Sequence, residues 1–252
     1  MILTTIENRI QTISFNRPEK KNAITNQMYL DAVDALQAAD ANPEVRCVIF
    51  TGEGGNLTSG NDLVDFIQNP PQGDMPPVLA FLLAVARLKK PIVVAINGLA
   101  VGIGTTMLAH CDYIVAAEDS RFKLPFVDLG VCPEGGSSLL FPKLMGHAHA
   151  AELLMLADIF DVKKADKVGL INAVVPADDV RAHAQKIAAK FVQRAPAAVM
   201  RTKAMLKQDY LADLEKRMAD EVYAFRDLLE SPEAKEALTA FMEKRAPDFS
   251  RF

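Results

Sequence analysis

Two glycine-containing turns, each after an apolar run, are the first candidates for chemistry in this chain. One turn occupies residues 57–63 (Leu-Thr-Ser-Gly-Asn-Asp-Leu) and the other residues 97–104 (Asn-Gly-Leu-Ala-Val-Gly-Ile-Gly). Free backbone N–H groups at the start of a helix stabilise a negative oxygen. Such a donor, fixed against a developing oxyanion, contributes about 10²–10³ in rate. On spacing alone a structural role is favoured, in which the glycines let strand and helix pack closely.

One glutamate lies in surroundings that suit a general base. Glu134 belongs to a Pro-Glu-Gly-Gly-Ser-Ser segment between Phe126 and the apolar residues 139–141. A carboxylate among apolar residues loses hydration, so its pKa rises and it becomes a better base near neutral pH. The alternative places Glu134 at a helix N-terminus, where it accepts hydrogen bonds from backbone N–H groups. The local sequence leaves both interpretations open.

Other reactive groups give weaker signals. His147 and His149 have no cysteine or carboxylate cluster beside them, so a metal site is not expected. His110 and Cys111 end an apolar helix and are predicted to be core residues. The sequence contains no phosphate-binding P-loop and no GxGxxG fingerprint. No metal and no separate cofactor are therefore expected.

Composition excludes several classes of protein. The 252 residues include 28 Lys and Arg against 32 Asp and Glu, a net charge of −4, with 50% hydrophobic residues. This is globular composition, and the mild acidity argues against a nucleic-acid partner. No apolar run approaches the length of a membrane span, and the first residues lack a secretory signal pattern. Three scattered cysteines suit a reducing compartment, so we expect a cytoplasmic protein without a membrane partner.

Strand and helix patterns alternate through the first two thirds of the chain. A hairpin is predicted around residues 8–9, and apolar strands over residues 45–50, 91–96, 113–116 and 170–175. A helix capped by Thr25 ends at residues 42–43, and further helices are expected over residues 107–110, 148–157 and 165–168. Strands separated by helices predict crossover connections and an α/β fold.

The chain beyond Pro196 is predicted to be helical. Apolar residues from Leu211 to Leu229 recur at intervals of three and four, which places them on one helix face. Ser231 and Pro232 cap and start a last helix, which carries the apolar residues Ala234, Leu238 and Phe241. A face this apolar needs a partner surface, either the main domain or another subunit.

The joint order of these motifs resembles the crotonase (enoyl-CoA hydratase/isomerase) superfamily over nearly the whole chain. The matching stretches are Phe-Asn-Arg-Pro at 15–18, Ser-Gly-Asn-Asp-Leu at 59–63, Asn-Gly-Leu-Ala-Val-Gly at 97–102, Leu-Gly at 129–130, Pro133 and Phe-Met-Glu-Lys-Arg at 241–245. The resemblance implies a crotonase/ClpP-like spiral of ββα units over residues 1–195 and a C-terminal helical region, residues 196–252, that trimerises. A homotrimer or a dimer of trimers is expected.

The resemblance also implies an acyl-CoA thioester substrate and an enolate held by two backbone N–H groups. By motif position these donors belong to Asn61 and Ile103. The two glutamates that hydratases of the family use are replaced by Thr106 and Phe126. Glu134 instead occupies the position of the single catalytic glutamate of the peroxisomal-type Δ3,Δ2-enoyl-CoA isomerases. Isomerisation is therefore the expected reaction, with coenzyme A as part of the substrate.

Binding residues for this substrate follow from the same resemblance. Basic side chains for the phosphates are expected in the first loop and in the last helix, and the turns are expected to surround the thioester and the adenine. The predicted set is Arg17, Lys20, Ala23, Ser59, Gly60, Asn61, Asp62, Leu63, Gly104, Phe126 and Lys244.

Two alternatives stay open. One is an enoyl-CoA hydratase or another crotonase chemistry, which a comparison of hydration with isomerisation separates. The other is a non-catalytic acyl-CoA-binding protein on the same fold, which would bind thioester without exchanging its C2 proton.

Overall fold

Alternating strands and helices form most of the molecule. The computed structural model describes residues 1–69, 73 and 75–252. The strands are β1 (Ile2–Glu7), β2 (Ile10–Phe15), β3 (Cys47–Gly52), β4 (Ile92–Ile96), β5 (Leu99–Val101), β6 (Tyr113–Ala117), β7 (Arg121–Lys123), β8 (Phe160–Asp161) and β9 (Ala173–Val175). The α-helices are α1 (Asn26–Ala41), α2 (Leu63–Gln68), α3 (Pro77–Arg87), α4 (Ile103–Thr106), α5 (Ser137–Met155), α6 (Val162–Lys167), α7 (Val180–Val192), α8 (Pro196–Lys207), α9 (Leu211–Leu229) and α10 (Pro232–Met242). Short 3-10 helices are Pro18–Lys20, Met107–His110, Val127–Leu129, Ala177–Asp179 and Phe249–Arg251.

The main sheet has six strands in the order β1-β2-β3-β4-β6-β9. Strands β1 and β2 are antiparallel and form the predicted hairpin, whose turn residues Asn8 and Arg9 have φ of 50° and 66°. The other neighbours pair in parallel. Parallel neighbours require crossover connections, so the predicted α/β class is confirmed.

Helices cover both faces of this sheet. Along β3, Val48 and Phe50 face the core that contains α1 and α3, whereas Cys47 and Ile49 face the core that contains α7. Every residue of β3 and β4 is buried. Burial on both faces explains why these strands are continuous apolar runs in the sequence.

Helices α5 and α7 are among the elements that differ from the sequence prediction. Helix α5 begins at Ser137 rather than at residue 148, and Gly146 interrupts it with non-helical backbone (φ 78°, ψ 157°). The break hid the first half of the helix, because it shifts the apolar pattern between the two halves. Helix α7 was not predicted at all, since alanines supply half of its buried face.

The C-terminal helices pack on the main domain of the same chain. Leu214, Met218 and Val222 of α9 belong to the same buried cluster as α1 and α3. In α10 the buried apolar positions are alanines, whereas the Phe241 side chain is 50% exposed. Small residues lie inside because α10 approaches the loop at Gly130 closely: a Cβ there would lie 2.7 Å from Ala234 N.

Candidate active site

The two glycine-containing turns lie side by side. Thr58 and Ala100 form a parallel bridge, and the Val101 N–H donates to the Thr58 carbonyl oxygen at 3.1 Å. Asn61 and Ile103 each follow the bridge by three residues. The fold therefore brings the two predicted backbone donors to the ends of neighbouring segments.

Gly60 makes this close approach possible. Its φ is +89°, and a Cβ at this position would lie 3.0 Å from the Val101 carbonyl oxygen. In the part of the chain that the structure describes, the backbone nitrogens of Asn61 and Ile103 have no hydrogen-bond acceptor. Both amides are therefore available to an oxygen atom of a ligand.

Glu134 is a buried carboxyl group with one oxygen unpaired. The residue is 6% exposed, and its Oε1 accepts a hydrogen bond from Thr106 Oγ1 at 2.6 Å. Its Oε2 is buried and has no partner among the described residues. Burial raises the pKa of Glu134 to about 8, against the opposing effect of the Thr106 hydroxyl. The predicted buried carboxyl group with a raised pKa is confirmed.

The alternative role for Glu134, as an acceptor at a helix N-terminus, is filled by a different carboxylate at the start of α5. The Oε2 of Glu221 accepts from Gly136 N at 2.6 Å, and its Oε1 accepts from Ser138 N at 3.1 Å. Glu221 lies on α9, more than 80 residues along the chain, so no local pattern links it to α5.

Tyr29 connects the two parts of the site. Its hydroxyl donates a hydrogen bond to Asn61 Oδ1, and its ring packs against Phe81. Burial, and secondarily the Glu134 carboxylate, raise the pKa of Tyr29. Sequence analysis missed this residue, although a tyrosine in the apolar stripe of α1 needs a partner for its hydroxyl.

His110 supports the segment that carries Glu134. Its Nε2 lies 2.7 Å from the Gly135 carbonyl oxygen, which can only accept, so Nε2 carries the hydrogen. Burial lowers the pKa of His110 to about 4, and the ring is neutral at physiological pH. The residue is buried, as the sequence predicted.

A cavity of about 530 Å³ lies in front of the two turns. Its apolar wall includes Phe66 and Phe225, whose rings meet edge to face, together with Leu229, Leu238 and Phe241 from the C-terminal helices. Among the predicted site residues, those that line the cavity are Lys20, Ala23, Ser59, Gly60, Asn61, Asp62, Leu63, Ile103 and Phe126.

Four predicted site residues do not line this cavity. Glu134 lies behind its wall, bonded to Thr106 on the same short helix as the lining residue Ile103. Gly104 packs against Thr58, because a Cβ there would lie 2.5 Å from the Thr58 methyl group. The remaining two are Arg17, which is ion-paired with Asp62, and Lys244, which is exposed.

The rim of the cavity carries paired charges. Lys123 Nζ lies 2.7 Å from Asp128 Oδ2, and both residues line the cavity. Asp62 pairs with Arg17 and also caps α2. Although burial acts to raise it, hydrogen bonds from Asp65 N and Arg17 lower the pKa of Asp62. These carboxylates differ from Glu134 in having a cationic partner.

The described residues hold no cluster of three or more His, Cys, Asp or Glu side chains that could bind a metal ion. Within the same residues, no helix has the length and apolar character to cross a bilayer.

A model of the enoyl-CoA hydratase/isomerase family matches residues 5–251. This chain belongs to that family. A crystal structure of an enoyl-CoA hydratase/isomerase from Pseudoalteromonas atlantica is similar, with a TM-score of 0.94 and 38% identity over 98% of this chain and 99% of that one. The expected crotonase fold is thereby confirmed.

Relatives of this chain in the family include proteins named as hydratases and proteins named as isomerases. Crotonyl-CoA hydratase from Syntrophomonas wolfei is 32% identical over 96% of this chain and 95% of its own length. The mouse peroxisomal enoyl-CoA delta isomerase 3 is 33% identical over 97% of this chain and 79% of its own length. Overall identity therefore does not separate hydratase from isomerase, and the distinction depends on the site.

Proposed function

We propose that this family member is a Δ3,Δ2-enoyl-CoA isomerase. The observation that carries the proposal is the pair formed by Thr106 and Glu134. Where family hydratases place a glutamate, this chain has a threonine whose hydroxyl donates to the buried carboxyl group of Glu134. Phe126, at the position of the second hydratase glutamate, is a buried apolar residue of the cavity wall.

One acid is sufficient for isomerisation because the proton is conserved. In the proposed reaction, ionised Glu134 removes a proton from C2 of a 3-enoyl-CoA, and the N–H groups of Asn61 and Ile103 stabilise the enolate oxygen. The thioester carbonyl then re-forms, the enolate electron pair becomes the C2–C3 double bond, and the electrons of the former C3–C4 double bond take up at C4 the proton that neutral Glu134 returns. Hydration instead adds water, which calls for one group at the oxygen and another at the carbon.

The raised pKa suits both halves of this transfer. With a pKa of about 8, roughly one Glu134 in ten is ionised at pH 7. The ionised form is a strong base because few groups stabilise its charge, and the neutral form keeps the proton until C4 accepts it. Buried apolar neighbours exclude water that would compete for the intermediate.

Substrate placement follows from the cavity. The thioester would lie against the Asn61 and Ile103 amides, and its acyl group would extend past Ile103 towards the unpaired Oε2 of Glu134. Lys20, one of the predicted binding residues, lines the rim of the cavity and has no ion pair among the described residues. We propose that it contacts the phosphates of coenzyme A.

The decisive experiment is Glu134→Gln assayed with a 3-enoyl-CoA. Loss of the base is expected to lower kcat by about 10³-fold or more, while acyl-CoA binding, measured by calorimetry, changes little. Asp128→Asn, which removes a carboxylate that lines the cavity, is the matched control and is expected to keep isomerase activity. Wild-type activity in Glu134→Gln would eliminate the proposed base.

Hydration is the second candidate, since Asp62 and Asp128 also line the cavity. Their ion pairs make them poor bases, so slow hydration of a 2-enoyl-CoA is expected from the same preparation. Faster hydration than isomerisation would contradict the isomerase assignment. A binding protein without catalysis is recognised separately, because it would not exchange the C2 proton in heavy water.

A further inference from the structure

A buried carboxylate from α9 caps the N-terminus of α5. Glu221 is 6% exposed and accepts hydrogen bonds from the backbone N–H groups of Gly136 and Ser138, and from Ser138 Oγ at 2.6 Å. Arg217, one turn earlier on α9, donates to the same hydroxyl at 3.1 Å. Because both oxygens accept from N–H groups, Glu221 has the contacts of an ionised carboxylate.

This cap comes from elsewhere in the chain because the N-cap residue of α5 has no side chain. Gly136 has φ of +68°, and a Cβ there would lie 2.2 Å from Leu214 Cδ1. Without Glu221, two backbone N–H groups at a helix N-terminus would lack an acceptor, and such groups attract a carboxylate. Glu134 is only two residues before the N-cap.

We propose that Glu221 is a positioning residue for Glu134: it occupies the amides of α5 and so leaves the Glu134 carboxylate directed at the substrate. The inference rests on the proposed role of Glu134 as the base. Glu221 also places a negative charge near Glu134, which opposes ionisation of the base. A base that is held away from the helix amides keeps its strength, whereas one bound to them would be weakened.

The other ionisable groups near Glu134 contribute no charge of their own near neutral pH. Burial raises the pKa of Tyr29, on α1, well above its usual value. Burial likewise raises the pKa of Cys132, in the preceding loop, to about 11. His110, behind Gly135, is neutral because burial lowers its pKa to about 4.

Two charged groups remain, both on α9. Burial raises the pKa of Glu221, and the hydrogen bonds from Ser138 and Gly136, together with the positive charge of Arg217 beside the Ser138 hydroxyl, oppose that rise. Glu221 is thus the one anion in the described surroundings whose charge raises the pKa of Glu134. Its removal should act on Glu134 in one direction, towards easier ionisation.

The direct test is carboxyl NMR of protein labelled with ¹³C-glutamate, in which the Glu134 signal is assigned by its loss in Glu134→Gln. In Glu221→Gln the midpoint of Glu134 titration is expected to fall by about one pH unit, since a neighbouring like charge is gone. Glu215→Gln removes the same charge from α9 at a residue paired with Arg87, and it is expected to leave the midpoint unchanged. An equal midpoint in wild type and Glu221→Gln would overturn the inference.

Kinetics give the second readout. The rise of kcat/KM with pH should move to lower pH in Glu221→Gln, which keeps an acceptor for the amides and most of kcat.

In Glu221→Ala the freed amides should draw Glu134 away, so kcat falls by about a hundredfold even at high pH, where the base is fully ionised. A lower Tm with an unchanged pH profile and an unchanged kcat in both variants would show a structural role alone and overturn the proposal. If the wild type fails to isomerise a 3-enoyl-CoA yet the NMR midpoint still moves, the proposed function fails and the coupling stands.

Discussion

The acid behind the cavity wall, Glu134, and the two acids at the cavity rim, Asp62 and Asp128, differ in their hydrogen-bond and ion-pair partners. Glu134, behind the cavity wall, has a hydroxyl as its only partner among the described residues and a pKa raised to about 8. Asp62 and Asp128, at the rim, each have a cationic partner. If Glu134 is the base, as proposed, the contrast teaches that proximity to a cavity does not identify the reactive acid. The group suited to take a proton is the one that the fold leaves without a counter-ion.

The largest expected effect of this contrast is on stability at high pH. The pKa of Glu134 is raised in the folded state, so the unfolded chain loses this proton first, and folding becomes less favourable as pH rises from about 4.5 to about 8. Glu134→Gln removes this penalty. Its free energy of unfolding should exceed that of wild type by up to a few kcal/mol at pH 9, since each pKa unit corresponds to about 1.4 kcal/mol.

Urea unfolding at pH 5 and pH 9 measures the difference. The gain of Glu134→Gln over wild type should shrink at pH 5, because this pH is close to the ordinary glutamate pKa of 4.5 and little of the penalty has developed there. Asp128→Asn is the rim control, and no comparable gain is expected from it. A gain that does not depend on pH would show that Glu134 is not a buried acid with a raised pKa.

A second expected effect concerns the turn that joins the rim to the inner donors. Gly60→Ala introduces a Cβ at 3.0 Å from the Val101 carbonyl oxygen, on backbone with φ of +89°. Displacement of the Asn61 amide should lower kcat by about a hundredfold, the loss typical of one oxyanion donor. Steady-state kinetics with a 3-enoyl-CoA measures it.

The matched control for this turn is Gly169→Ala. Gly169 has φ of +75°, but a Cβ there meets no atom within 4 Å. Its substitution carries the same type of backbone strain and should lower stability with little effect on kcat. Equal kcat losses in the two variants would indicate that the Gly60 effect reflects global strain.

How far the sequence predicts these features depends on whether they are local. The apolar neighbours of Glu134 in the chain indicated burial and a raised pKa, but the local sequence left a helix N-terminal role equally open. Strands β3 and β4 were found because burial on both faces makes them continuous apolar runs. Tyr29 and Glu221 were missed because their contacts to the site join distant parts of the chain.

Helices with small buried residues were the second source of error. Helix α7 buries Ala184 and Ala188 beside Val180 and Ile187, and this face gives a weak apolar period. In α10 too the buried apolar residues are alanines, while Phe241 stays half exposed. Close helix packing selects alanine, and alanine carries little hydrophobic signal. Sequence patterns therefore find helices by their large residues, even where small residues make the contact.

A third prediction sharpens the difference between the inner acid and the rim acids. Thr106→Val removes the hydrogen bond that stabilises ionised Glu134, so the pKa of Glu134 should rise further. The rise of kcat/KM should move up by about one pH unit, with about a tenfold loss of activity at pH 7. Thr105→Val is the control, because the Thr105 hydroxyl donates to the Ala100 carbonyl oxygen instead, at 2.6 Å. A pH profile that Thr106→Val leaves in place would contradict the assignment of Glu134 as the titrating base.

The smallest expected effect is at the rim. Lys20 is exposed and lines the cavity, so Lys20→Met should raise KM for an acyl-CoA a few-fold while kcat is unchanged, because the phosphates bind equally in the ground state and the transition state. The increase should shrink in about 0.5 M salt, where exposed charges are screened over a few ångströms. Lys21→Met alters the neighbouring exposed lysine, which does not line the cavity, and should leave KM nearly as in wild type. A loss of kcat in Lys20→Met, or equal KM increases in the two variants, would contradict the proposal. In that proposal the rim only binds substrate, and Glu134 performs the chemistry.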